Sequence, residues 1–424
     1  MNADNTHHDV IVVGAGIAGL TAGLVAAEAG QHVLVLDAHT PGGRARSTER
    51  DGYWHNIGPH ALYRAGHLHA LLERRGVVLP GGPPDTDQVR MLRDGRLTPL
   101  TLKPVDLMRT PLLGFRDRMR LLALFARLQK IDTAGLVGRS VADWLADTPR
   151  PVAQFVESLI RTSTYTNGPD VFDAGAAIDQ VRAGFLGVDY LDHGWESIVN
   201  TLRNLLTSAG GVIETGAAVA AVEAEPDRVA VQLPFRTLTA SSVVLAAGGP
   251  DVAERLTGIR PADVDNLTAP IEATSLDLAL RTPHRGLVLG LDEPLYLSSH
   301  GPNGKLAPEG CGLVSALRYV PVGSDVPPPD AARSELRRLA TLAGIADDEA
   351  VHERYLHRST VVHGAPTAAG GGLAGRPRID ALGLPGVFLA GDWVGPIGLL
   401  ADAAAASGEA AASAAARHGA SVAA

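Results

Sequence analysis

The stretch VIVVGAGIAGL, Val10 to Leu20, constrains the fold of this chain more than any other. Four apolar β-formers run straight into Gly14, Gly16 and Gly19, the spacing G-x-G-x-x-G. A short apolar run closed by glycine reads as a buried strand. Gly14 allows the tight turn out of it, Gly16 lets backbone approach a pyrophosphate, and Gly19 lets the next helix pack on the strand. That helix, expected from Ile17 to about Ala29, offers the N–H groups of Ile17, Ala18 and Gly19 and its dipole to phosphate oxygens. Gly30 stops it, HVLVL is a second strand, and Asp37 ends that strand about 20 residues past the glycines, where a carboxylate can hold ribose hydroxyls. A carboxylate there repels a 2′-phosphate, which argues against NADP.

Strand, glycines, helix, strand and acid in this order predict a βαβ unit for an adenine dinucleotide. They do not distinguish nicotinamide from flavin. A second glycine pair, Gly42 and Gly43, follows at once, with Arg44 and Arg46 behind it. Missing Cβ atoms would let a second loop reach the pyrophosphate, and guanidinium groups suit phosphate oxygens. On physics alone a surface turn with solvated arginines serves equally well.

Composition excludes several classes. The 424 residues carry a net charge of −9, so a nucleic-acid partner has no electrostatic support. The single cysteine, Cys311, forbids an intrachain disulfide and fits a reducing compartment. The N-terminal MNADNTHHD lacks a basic signal-peptide region, and no run has the uniformity of a membrane span, so a cytoplasmic protein is expected.

The segment VVGAGIAGLTAGLVAAEAGQHVLVLDAHTPGGRARS resembles the N-terminal signature of the FAD-dependent amine oxidase, phytoene desaturase and protoporphyrinogen oxidase superfamily. The resemblance implies that the Gly42–Gly43–Arg44 loop packs against the FAD pyrophosphate. The segments TLRNLLTSAGGVIETGAAVAAVEAE and SSVVLAAGGP resemble returning parts of the FAD domain. They imply a backbone contact from Val219 to adenine, and Ala247 and Gly248 near the cofactor. In GVFLAGDWVGPIGLLADAAAASGEAAA, the family pattern makes Asp392, after Gly391, the acceptor for a ribityl hydroxyl. It also aims the helix start at Gly398, Leu399 and Leu400 at the flavin pyrimidine. GYWHNIGPHALY resembles the segment that passes the flavin ring, with Gly58 and Pro59 setting its shape. LSSHGPNGKLAPEGCG resembles phytoene desaturase-related proteins.

The resulting expectation is an α/β fold. A Rossmann-like FAD-binding domain of the GR2 type, with a parallel sheet, takes residues 1–75, 195–260 and 375–424. An α+β substrate-binding domain, 76–194 and 261–374, is interleaved with it. FAD is expected to bind non-covalently, since no cysteine lies near the C-terminal motif. His60 is a candidate base or flavin contact, against a histidine merely bonded within its loop. Trp393 lines the pocket or belongs to the core; Tyr63 and His55 are weaker candidates. Lys305 would hold a water at the flavin if the amine oxidase pattern applied, but PNGK reads as an exposed turn. The helix FRDRMRLLALFARLQK suits a membrane surface less well than an ordinary solvated face. The expected partner is a small organic substrate.

Four functions compete: a C–C dehydrogenase or desaturase, an amine oxidase, a non-catalytic relative of the Rab GDP-dissociation inhibitors, and a plain NAD dehydrogenase. The last two leave the second glycine pair and Gly391–Asp392 unexplained. The segment Val394 to Ala424 has no aromatic residue, and a wall of Ile397, Leu399 and Leu400 suits a carbon skeleton better than an ammonium. The sequence therefore ranks carbon–carbon dehydrogenation first.

Overall fold

The computed structural model describes residues 7–100, 103–300 and 304–422. The first unit forms as expected: strand β1 (His7–Val13), helix α1 (Ile17–Glu28) and strand β2 (Val33–Asp37). β1 and β2 pair in parallel. Among the described residues they belong to a seven-stranded sheet whose other members come from late in the chain. Val212–Thr215 flanks β2 in parallel, and Arg236–Leu245 flanks β1 in parallel. Val387–Leu389 pairs in parallel with Arg236–Leu245, whereas Ala221–Ala224 and Val229–Leu233 complete the sheet antiparallel. The inner strands bury both faces, which is why Val10–Val12 and Val243–Val244 are fully buried apolar residues.

The alanine-rich tail is a 23-residue helix, Leu400–Val422. Alanine favours helix, but packing demands small residues as well. A Cβ placed on Gly408 would come within 2.4 Å of the Ala18 carbonyl oxygen, so the last helix lies almost backbone to backbone on α1. The C-terminus thereby closes over the first βαβ unit.

A second seven-stranded sheet draws on 89–99 and 271–362. Its pairs are antiparallel except for Leu287–Gly290 with Val89–Arg93. The helix expected at FRDRMRLLALFARLQK forms as Phe115–Leu128, and two further helices, Val141–Leu145 and Arg150–Thr164, are separated at the proline-containing TPRP. The segment HGPNGKLAPEGC separates the strands Leu295–Ser299 and Gly312–Tyr319, which pair antiparallel; its residues 301–303 lie outside the described residues. Within PGGPPD, Gly81–Gly82 pairs with Tyr190 and Leu191. Among the described residues, no helix is long and apolar enough to cross a membrane.

Candidate cofactor site

The two glycine loops meet. Gly42 N–H donates to the Ala15 carbonyl at 2.7 Å, and a Cβ on Gly43 would sit 3.6 Å from Gly16 Cα. Gly42 and Gly43 have φ of +116° and +52°, a region where side chains are strained. Asp37 fixes the first loop: Oδ2 accepts from Ala15 N–H and Oδ1 from His39 N–H, both at 2.7 Å. Two oxygens retain further lone pairs for a ribose hydroxyl. Beneath the loop, a Cβ on Gly14 would lie 2.8 Å from the Ala246 carbonyl oxygen and 2.9 Å from Ala247 N, and one on Gly19 would overlap the Gly14 carbonyl. Gly16 is different: its φ is −76°, and a Cβ there would meet nothing within 4 Å.

Arg44 carries the second loop to the C-terminal motif. Its Nη1 donates to Asp392 Oδ2 at 2.9 Å and to the Val361 carbonyl at 2.6 Å. Asp392 also accepts from His363, at Oδ2 from the backbone N–H (3.1 Å) and at Oδ1 from Nδ1 (2.9 Å). Burial alone would raise this carboxyl, but the Arg44 charge and the His363 hydrogen bond hold it well below the usual carboxylate range. Gly391 is pinned on both backbone groups by Ser407 Oγ from the last helix. Arg376, 2% exposed, reaches under the motif to the carbonyls of Asp392, Ile397 and Gly398. Desolvation draws its guanidinium down to about 10. Its grip precedes Leu400, whose φ of +55° is unusual for leucine, at the start of the last helix. Asp402, in that helix's first turn, accepts from Leu68 N–H at 2.9 Å and so caps helix His67–Glu73 across the fold.

Of the expected cofactor residues, the structure gathers Gly14, Gly16, Gly19, Asp37, Gly42, Gly43 and Arg44 with Ala247 and Asp392. Val219 lies half-buried on the turn before Ala221–Ala224. Leu399 is 7% exposed and packs into the core of the helical layer, while Ile397 is 52% exposed, so the apolar wall expected from them does not form as one surface. A dinucleotide fits this cradle on two observations: the open space at Gly16, and Arg46 Nε, a buried donor with no partner among the described residues. Arg44 and Arg46 would face its phosphates, with Asp37 at the ribose.

The catalytic candidates fare unequally. His60 is half-buried; its Nδ1 lies 2.9 Å from the Gly58 carbonyl, so Nδ1 carries the hydrogen and Nε2 a lone pair. Burial lowers this imidazole and keeps it neutral. Trp393 is corrected to the core: it is 1% exposed, packs among Leu389, Val387 and Ala217, and donates from Nε1 to the Gly248 carbonyl at 3.2 Å. Tyr63 is corrected as an acid or base, because its hydroxyl donates to the Ser163 carbonyl at 2.8 Å and burial pushes it up to about 12. Lys305, 74% exposed, pairs with Asp192 on the surface. His55 is buried with Nε2 3.0 Å from His352 Nε2, a structural pair.

The sparse aromatics are concentrated. Tyr165 donates to the Pro59 carbonyl at 2.7 Å, beside His60, and its ring lies 5.9 Å from that of Tyr319. Tyr319 adjoins Tyr296, Tyr296 shares a 3.2 Å hydroxyl contact with Tyr190, and the Tyr190 ring lies tilted against His300 with centroids 4.4 Å apart. No sequence periodicity links these positions. A cleft of about 740 Å³ around Arg90 and His284 lies apart, and none of the glycine or tyrosine residues above lines it.

Residues 12–74 match the family model of an NAD(P)-binding Rossmann-like domain. An L-amino acid oxidase, Lm29, from Lachesis muta is 42% identical over 65 residues, 15% of this chain; the matched stretch spans 13% of that protein's length. An uncharacterized protein from Methanothermococcus thermolithotrophicus is 43% identical over 73 residues, 17% of this chain and 72% of its own. At 18% identity the fold matches an oxidoreductase of Methanosarcina mazei over 95% of this chain and 99% of that one, with a TM-score of 0.74. The cyclohexylamine oxidase of Brevibacterium oxydans matches at 17% identity over 97% and 99%, with a TM-score of 0.71. The sequence similarity is thus concentrated in the first βαβ unit, and the likeness of fold extends along nearly the whole chain.

Proposed function

We propose that this chain, a member of the FAD-dependent amine oxidase and protoporphyrinogen oxidase superfamily, is an FAD-dependent oxidoreductase that takes hydride from a C–H bond of a small organic substrate. The observation that carries this reading is the convergence of both glycine loops and the C-terminal Asp392 through Arg44. A plain nicotinamide dinucleotide site leaves that third element unexplained. FAD bound non-covalently supplies the hydride acceptor.

The protein's part is position, charge and exclusion of water. The α1 N-terminus, Arg44 and Arg46 hold the diphosphate. Trp393 and Arg376 brace the Gly391–Asp392 loop from behind. His60, neutral and with Nε2 free of its own loop, takes the proton lost from the atom next to the carbon that gives up hydride, and the electron pair left by that proton forms the new double bond. The tyrosine group beside Pro59 forms the apolar wall that orients the substrate ring. The interleaved division at 75, 195, 260 and 375 separates these two tasks.

The finer reading is carbon–carbon dehydrogenation of a neutral alicyclic or alkenyl skeleton. Asp277, a buried carboxylate of the second sheet, is already engaged by Arg354 and Ser315, which leaves it a poor partner for an ammonium. A second reading, oxidation of an amine, is favoured by the tyrosine group, because electron-rich faces attract cations. An anaerobic screen of alicyclic, alkenyl and amine compounds, read by flavin bleaching, decides between them. Bleaching by simple primary amines alone would overturn the carbon–carbon reading.

A further inference from the structure

His363 lies beyond the cofactor segments legible in the sequence, on the exit from the strand Ala350–Val362. It nevertheless sits where those segments join. Its ring rests on Gly249, where a Cβ would come within 2.8 Å of Cδ2 and 3.0 Å of Cγ. Gly249 has an extended backbone with φ of −101°, so it needs no glycine for conformational reasons; the imidazole needs the space. On its other side the ring meets Asp392, and Asp392 meets Arg44.

The hydrogen positions follow from chemistry. Nδ1 lies 2.9 Å from a carboxylate oxygen, which only accepts, so Nδ1 carries hydrogen. In the neutral ring Nε2 is then an acceptor. It has no hydrogen-bond partner among the described residues, and the side chain is 18% exposed. Asp392 is by contrast well supplied: Oδ1 takes Nδ1–H, and Oδ2 takes both Arg44 and the His363 backbone N–H.

We infer that His363 Nε2, backed by Asp392, accepts a hydroxyl of the cofactor's ribityl chain, while Asp392 orients the imidazole. This rests on the FAD reading above. The arrangement is hydroxyl to imidazole to carboxylate, in which the carboxylate fixes both the tautomer and the ring plane. Arg44 neutralises the carboxylate and ties the trio to the Gly42–Gly43 loop.

The test uses apoprotein and two ligands, FAD and ADP, with affinities read by calorimetry. ADP keeps the adenosine and diphosphate but has no ribityl chain. His363→Phe should weaken FAD about 10- to 100-fold and leave ADP within about 2-fold. His363→Asn keeps an N–H for Asp392 but cannot reach as Nε2 does, so it should restore the wild-type melting temperature without restoring FAD affinity. Equal affinity of wild type and both variants for FAD would overturn the inference, as would an equal loss for ADP. Failure of the wild type to bind FAD would instead remove the FAD reading itself, and the inference with it.

Discussion

Arg44 and Asp392 are 348 positions apart in the chain and meet at 2.9 Å, with the carboxylate 3% exposed and the guanidinium 38%. This contact joins the second glycine loop to the C-terminal motif. Asp392→Asn removes the charge that organises Arg44 and His363. It should lower stability by about 2–3 kcal/mol, the scale of hydrogen bonds to charged groups, and weaken FAD by at least about tenfold. Denaturant unfolding with parallel FAD titration checks both. Loss of one without the other would separate the scaffold role of Asp392 from its cofactor role.

The glycines of the first motif should divide by what they face. Gly19 faces protein, since a Cβ there would overlap the Gly14 carbonyl. Gly19→Ala should cost roughly 3 kcal/mol or more. Gly16 faces open space with ordinary backbone angles. Gly16 caps α1, so Gly16→Val should cost only about 1 kcal/mol, the scale of an N-cap change, yet fail to retain FAD. Thermal melts of the apoproteins and flavin content after purification give the two answers; a Gly16→Val protein as yellow as wild type would place the diphosphate elsewhere.

Two buried groups should shape stability against pH in opposite senses. Burial raises Asp402 from 3.8 to about 6, against the Leu68 N–H that favours its charge. The folded state therefore holds this proton more tightly than the unfolded chain. Its contribution is complete below pH 3.8 and is lost as pH rises through about 6. Asp402→Asn keeps the acceptor for Leu68 without the charge, so it should gain on wild type over that window by up to about 3 kcal/mol. Burial also depresses His300 from 6.5 to about 4. Its contribution is present above pH 6.5 and is lost as pH falls toward 4. His300→Leu should flatten the acid limb, and urea unfolding at stepped pH resolves the two.

The sequence carries its information locally, and the site is legible where it is local. The chain from Val10 to Asp37 encodes strand, turn, helix and acid within one span, so its geometry follows from spacing alone. Gly42–Gly43 and Gly391–Asp392 are short punctuated motifs whose purpose the resemblance supplied. Arg376, His363, Ser407 and Asp402 act through contacts across the fold, and a buried arginine reads in sequence like a solvated one. Trp393 follows Asp392 directly, but the turn after Leu389 sends its ring behind the sheet, against Gly248. The tyrosine group stayed hidden because its members are spaced from 165 to 319 and converge only when the second sheet pairs. Tyr165, Tyr190, Tyr296 and Tyr319, from other elements, gather as one aromatic group instead, which weakens the argument against a cation-binding wall.

The three separated segments should together form one non-covalent FAD site. Absorption spectroscopy of the purified protein, followed by acid denaturation and chromatography of the supernatant, tests it most directly. The protein should be yellow with one FAD per chain, all of it released on denaturation. A colourless protein that takes up no added FAD, or flavin that stays with the precipitated chain, would contradict it.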